Sequence, residues 1–265
     1  MSHPPQNPPR SAIRSVAIPT EHGGWGLTAE PVLLGLLLAP SVAGALLGAA
    51  AMVAFLVRQP LRLVLVDHHR RRTLARTQLA RMVVLIEAGA LGALLAAAVP
   101  LARSPFWWPA LAAAPLVATE LWFDMRSRSR RLVPELAGAI GVAAAAPTIV
   151  LAGGGSTAEA VGAWLILAAR SATAIPFVRS QIARQRGRDQ RSSALLGADL
   201  AALSLVVVAV LVKPMFVAGA AAVAIAIVFQ RGTAQSSAPP KVLGIRQTVL
   251  GLSVVAATAL GVHLA

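Results

Sequence analysis

The residues richest in chemistry lie close together near the start of the chain, in Glu21-His22-Gly23-Gly24-Trp25-Gly26-Leu27-Thr28-Ala29-Glu30. A carboxylate beside an imidazole can pass a proton, accept hydrogen bonds or hold a cation. Glu21 and His22 are therefore the candidate catalytic groups. Gly23, Gly24 and Gly26 permit an irregular backbone or a close helix approach, and Trp25 suits the headgroup level of a bilayer. The plain alternative is a Trp-anchored, glycine-rich entry into a first apolar segment.

Further charges fall inside apolar runs: Glu30, Glu87, Glu120, Arg170 and Asp199. Ionised groups are costly within a bilayer, so such residues face the bundle interior and mark a site. Glu87 lies six residues past Arg81 and Arg170 nine before Arg179, which at the rise of an α-helix sets them about 9 Å and about 13 Å inside the helix ends. At that depth an ion pair between Glu87 and Arg170 would neutralise both, and it is the expected arrangement. Pro176 frees a carbonyl nearby and suits a kink beside a cavity.

Nearer the ends of the runs the acids and arginines are spaced for helix faces. Glu120 and Asp124 are four apart, as are Asp124 and Arg128, and Arg131 and Glu135. These are either self-neutralising pairs or, for the two carboxylates, a cation site. Arg58, Arg62, Arg179 and Arg184 fall where helices reach headgroup depth, and a guanidinium binds phosphate bidentately. Ordinary contact with anionic lipids accounts for the same residues. The candidate substrate-binding set is thus Arg58, Arg62, Glu120, Asp124, Arg170 and Arg179. Asp67-His68-His69 has the residue types of a metal site, but adjacent histidines diverge on a helix and nearby arginines repel a cation. No metal is expected there. The chain has no cysteine, which excludes disulfides and thiolate ligands, and nothing calls for a cofactor.

The elements that position these residues are legible from hydropathy. Of 265 residues 57% are apolar and 13% charged, with mean hydropathy +0.71. Residues 1–17 form a proline-rich tail, expected to be disordered and cytoplasmic; residues 18–265 read as one transmembrane helical domain. Apolar segments near 26–40, 41–57, 79–100, 105–123, 133–152, 159–178, 194–212, 214–230 and 242–263 predict an all-α polytopic membrane bundle of about nine transmembrane helices. The longest basic connections, 58–78 and 179–193, suit short amphipathic helices on the membrane surface. The tail and alternate connections hold 21 of the 24 basic residues. That bias places the N-terminus in the cytoplasm and the C-terminus outside. It also explains the net charge of +14 without nucleic acid. Val57-Arg58-Gln59 and Val178-Arg179-Ser180-Gln181, four spans apart, hint at a parallel repeat.

Pro19-Thr20-Glu21-His22-Gly23-Gly24-Trp25 with Pro31, Arg58-Gln59-Pro60, Arg130-Arg131 with Pro134-Glu135-Leu136-Ala137-Gly138-Ala139, and Arg170 to Pro176 together resemble the YwiC-like family of bacterial membrane proteins. The resemblance runs from about residue 18 onward and implies a multi-pass protein of the bacterial cytoplasmic (inner) membrane, with no activity attached. More distantly, the layout resembles the UbiA-type intramembrane prenyltransferases, which implies nine helices and a site formed by the loops after helices two and six. That superfamily holds prenyl diphosphate through Mg2+ on Asp-rich motifs. Here those loops offer only Asp67 and Asp189, which speaks against Mg2+.

Three classes of function stay open. One is a cytoplasm-facing polar cavity that binds an anionic lipid or an isoprenoid-phosphate-like ligand, with or without catalysis. A small-molecule or ion transporter is the second, and a non-catalytic membrane partner the third. Lipids and anionic headgroups are the expected partners. In the first class Glu21, His22 and Trp25 fold over the cytoplasmic mouth of a cavity walled by helices two, four and six.

Overall fold

The computed structural model describes residues 16–17, 22–72, 74–126, 128, 130–188, 192–235 and 238–265. Glu21 and Asp189 lie outside the described residues, as does the side chain of His22. Among the described residues every regular element is a helix: α1 (His22–Leu38), α2 (Val42–His69), α3 (Ala75–Ala98), α4 (Trp108–Met125), α5 (Leu132–Ala143), α6 (Ala145–Ala152), α7 (Thr157–Gln185), α8 (Ser192–Val212), α9 (Val217–Gly232) and α10 (Pro240–Leu264). Helices answer the bilayer constraint, because each satisfies its backbone within itself.

Seven of these stretches are long and apolar enough to cross a membrane: α2, α3 with the turn after it, α5 with α6, α7, α8, α9 with the turn before it, and α10. The first and fourth expected spans are shorter or more polar. α1 has 17 residues, and α4 has 18, ending in Glu120 and Asp124. The basic connections differ from expectation. α2 continues unbroken past Pro60 to His69 and α7 past Pro176 to Gln185, so no separate surface helices lie there. A proline removes one helix hydrogen bond but does not end a helix whose flanking turns stay packed.

Local signals set the element ends. Ser41 caps α2, its hydroxyl accepting from Gly44 N at 2.9 Å. Ser156 and Glu159 close a reciprocal capping box at the start of α7. The fifth span breaks at Ala144, three residues before Pro147, whose ring offers no N–H to the Ala143 carbonyl. Ala144 N turns to Gly141 O instead, and Trp164 Nε1 donates to the freed Ile140 carbonyl at 2.9 Å.

α7 is the axis of the bundle. Its spanning window is 72% buried, against 11% for α3, which packs chiefly on α2 at the outside. The main core joins Leu34 of α1, Ala146 of α6, Ile166 of α7, Phe216 before α9 and Val254 of α10. α10 also packs along α1, closing the ring. Small residues let the helices approach: a Cβ on Gly162 would lie 2.1 Å from the Phe216 ring.

Gly162→Ala should therefore cost about 1–3 kcal/mol of overpacking and lower the melting temperature in detergent. Gly89→Ala, on outer α3 with nothing within 4 Å of the added methyl, should not. Equal melting of the two variants would contradict this packing.

Candidate functional site

Most of the sequence's candidates gather at the arginine-rich end of the bundle. On α2, Arg58 Nη2 meets Glu120 Oε1 of α4 at 2.7 Å and Asp124 Oδ2 at 3.4 Å. The acids stand one helical turn apart on a single face, as their spacing required. They hold the Arg58 guanidinium between them. The Asp124 side chain is fully buried, and its Oδ1 has no hydrogen-bond partner among the described residues. Arg128, expected beside Asp124, sits exposed in the turn, its N–H donating to the Phe123 carbonyl. Arg62, one turn beyond Arg58, is also engaged.

α5 reaches this cluster through a glycine. A Cβ on Gly138 would fall 2.2 Å from Glu120 Oε1, so only glycine lets the carboxylate seat against that backbone. One turn earlier on α5, Glu135 accepts from Arg179 Nη1 of α7 at 2.7 Å, and the same nitrogen donates to the Arg130 carbonyl at 3.0 Å. The expected Arg131–Glu135 pair is thus replaced, because Arg131 is the residue that precedes α5. Arg58, Glu120, Asp124, Glu135 and Arg179 accordingly lie around the first turns of α5. Arg184 turns away to the Ala234 carbonyl and Gln235.

The start of α1 lies against the same region. Trp25 meets Phe55 of α2 edge-on, with centroids 5.1 Å apart, and a Cβ on Gly24 would be 2.7 Å from that ring. Phe55 is three residues before Arg58. Trp25 thus keeps an edge contact with α2 while its ring stays exposed.

A second centre lies deep in the bundle. Arg170, at the middle of α7, is buried, and its Nη2 donates to the Gln247 carbonyl of α10 at 2.6 Å. The expected pairing with Glu87 is not found: Glu87 belongs to outer α3, which makes no substantial contact with α7. The acid that shares a field with Arg170 is Glu30 of α1, itself buried and seated where a Cβ on Gly251 would lie, 1.8 Å from Oε1. A turn toward the arginine-rich end, Thr173 donates to Asp199 Oδ1 of α8 at 2.7 Å, and Asp199 is also paired with Arg231 of α9. Asp199 is thus neutralised locally.

Asp67 has a structural role. It accepts from Thr77 at 2.6 Å and Arg76 at 3.1 Å, tying the α2–α3 turn. Among the described residues no group of three or more His, Asp or Glu could hold a metal ion. Sequence reasoning missed Gln247, Gly251 and Gly138 because it weighed charges within spans and passed over neutral residues there. A glutamine in an apolar run was the available signal.

Arg58→Ala would remove the guanidinium that Glu120 and Asp124 share. It should destabilise the protein by about 3 kcal/mol, the low end for a broken buried pair. Adding Glu120→Gln should recover part of the loss in melting temperature; no recovery would mean the ion pair is not what holds α2 to α4.

The family model described as YwiC-like protein matches residues 18–150. No curated protein and no solved structure matches.

Proposed function

The chain belongs to the YwiC-like family, and we propose that it is a nine-span protein of the bacterial inner membrane that binds an anionic headgroup or isoprenoid-phosphate-like ligand at its arginine-rich, cytoplasmic face. The observation that carries this reading is that Arg58 and Arg179 both lie beside the first turns of α5, each oriented by carboxylates. A guanidinium held in place by an acid loses less freedom on meeting phosphate, and phosphate binding is strongest in such charge-assisted geometry. The buried acids moderate the field, so the site suits a headgroup of low net charge rather than a bare diphosphate. Diphosphate ionisation through Mg2+ finds no Asp-rich motif to support it, and binding rather than prenyl transfer is the better match to these residues. His22 and Glu21, three and four residues before Trp25 in sequence, are the proposed proton acceptors.

The orientation rests on the split of basic residues. Reporter fusions at Gly154 and Ala265 should both report the outside; a cytoplasmic signal at Ala265 would require an even number of spans.

The ligand reading is checked by native mass spectrometry of the purified protein. Anionic lipid or isoprenoid phosphate should be retained by the wild type, and Arg58→Ala or Arg179→Ala should weaken retention about tenfold or more, the scale of one charged hydrogen bond. Equal retention by both variants removes the reading. A transporter is the second reading, favoured by one feature, the buried guanidinium of Arg170 at mid-bundle.

A further inference from the structure

Arg58 is already occupied at the atom a phosphate needs. Its Nη2 meets Glu120 Oε1 at 2.7 Å and Asp124 Oδ2 at 3.4 Å. A guanidinium grips an oxyanion bidentately along one of two edges, Nη1 with Nη2 or Nε with Nη2. Both edges use Nη2, and both of its N–H groups are claimed by the acids. A phosphate that takes Arg58 bidentately must therefore displace a carboxylate. The contact that orients the guanidinium also competes for it.

The two acids are not held equally. Glu120 stands at the shorter distance and is seated against Gly138. Asp124 has the longer contact, near the limit for a hydrogen bond, and its Oδ1 has no partner among the described residues although the side chain is fully buried. It is the acid more easily displaced. The charged groups gathered at this end of the bundle are Arg58 and Arg62 of α2, Glu120 beside it on α4, Glu135 of α5 with Arg179 of α7, the arginines of the α4–α5 turn, and His22 at the start of α1. Glu135 and Arg179 pair with each other, so Arg58 is the counter-charge that Asp124 would lose. A buried carboxylate deprived of its counter-charge is costly, and a proton removes the cost.

We infer that binding of a phosphodiester headgroup at Arg58 is coupled to proton uptake: the phosphate displaces Asp124 from the guanidinium, and the Asp124 carboxylate takes a proton from water. One O–H bond forms and no other bond changes. Such a site fills as pH falls and empties as pH rises. The inference rests on the headgroup reading above and adds its regulation.

The probe is dioctanoyl phosphatidylglycerol, a phosphodiester whose charge is constant between about pH 6 and pH 8, titrated into full-length protein in a non-ionic detergent. Wild-type affinity should rise about fivefold or more across that interval as pH falls, one proton setting a ceiling of about a hundredfold. Calorimetry in two buffers of different ionisation enthalpy should count about one proton taken up per lipid. Asp124→Asn, which keeps the shape and removes the charge, should bind about tenfold more tightly than wild type at the upper pH and lose the proton uptake. His22→Gln should keep it. Binding that Arg58→Gln weakens but that takes up no proton overturns this inference and leaves the headgroup reading standing. Uptake that persists in Asp124→Asn, or vanishes in His22→Gln, overturns it as well, by assigning the proton elsewhere. Binding that Arg58→Gln leaves unchanged at either pH removes the headgroup reading and this one with it.

Discussion

An ionised side chain inside an apolar bundle must find an opposite charge or a dense set of dipoles, and this requirement shapes the structure more than any other. Among the described residues most acids in or near the spans are met by a residue of another helix. Glu120 and Asp124 of α4 take Arg58 of α2, Glu135 of α5 takes Arg179 of α7, and Asp199 of α8 takes Arg231 of α9. These contacts fix rotation and register where aliphatic packing alone, rich in alanine, is permissive. At the opposite end Lys213 and Glu159 do the same at 2.5 Å. Close van der Waals packing at small residues holds the helices together in a bilayer, and the polar contacts decide which arrangement it stabilises.

Two of these carboxylates share a device. Glu120 lies against Gly138 and Glu30 against Gly251, so in both places a missing side chain on one helix makes room for an acid from another. The difference lies in what meets the acid. Glu120 has Arg58 at contact distance, whereas Glu30 makes no hydrogen bond or ion pair among the described residues. One device therefore gives a neutralised joint near the surface and a buried acid without a direct counter-charge in the interior.

The helical segments were legible because bilayer-length apolar runs are an unambiguous signal, and Glu120 with Asp124 was placed on one face by spacing alone. Partner choice was not legible. Glu87 and Arg170 have matching depth, but depth says nothing of which helices are neighbours, and α3 lies outside. Asp124 with Arg128 and Arg131 with Glu135 have helical spacing, yet the chain turns between Met125 and Leu132, so each acid faces inward to a helix distant in sequence. The continuations of α2 and α7 were hidden by arginines and prolines, which read as loop residues until the packing of the flanking turns is known.

The contact of α1 with α10 has a consequence for biosynthesis. Glu30 is seated on Gly251, and His263 Nε2 lies 2.8 Å from the Leu37 carbonyl, so α1 makes part of its lasting contacts with α10, a helix translated long after it. At ordinary translation speed about 10–40 s separate the two. Throughout that interval α1 holds a buried-type acid with its seat not yet made, and Arg170 enters the bilayer before the Gln247 carbonyl exists to receive it. Until α10 arrives the bundle is an open arc along α1, and the Glu30 carboxylate lacks the backbone recess at Gly251 that it occupies in the finished fold.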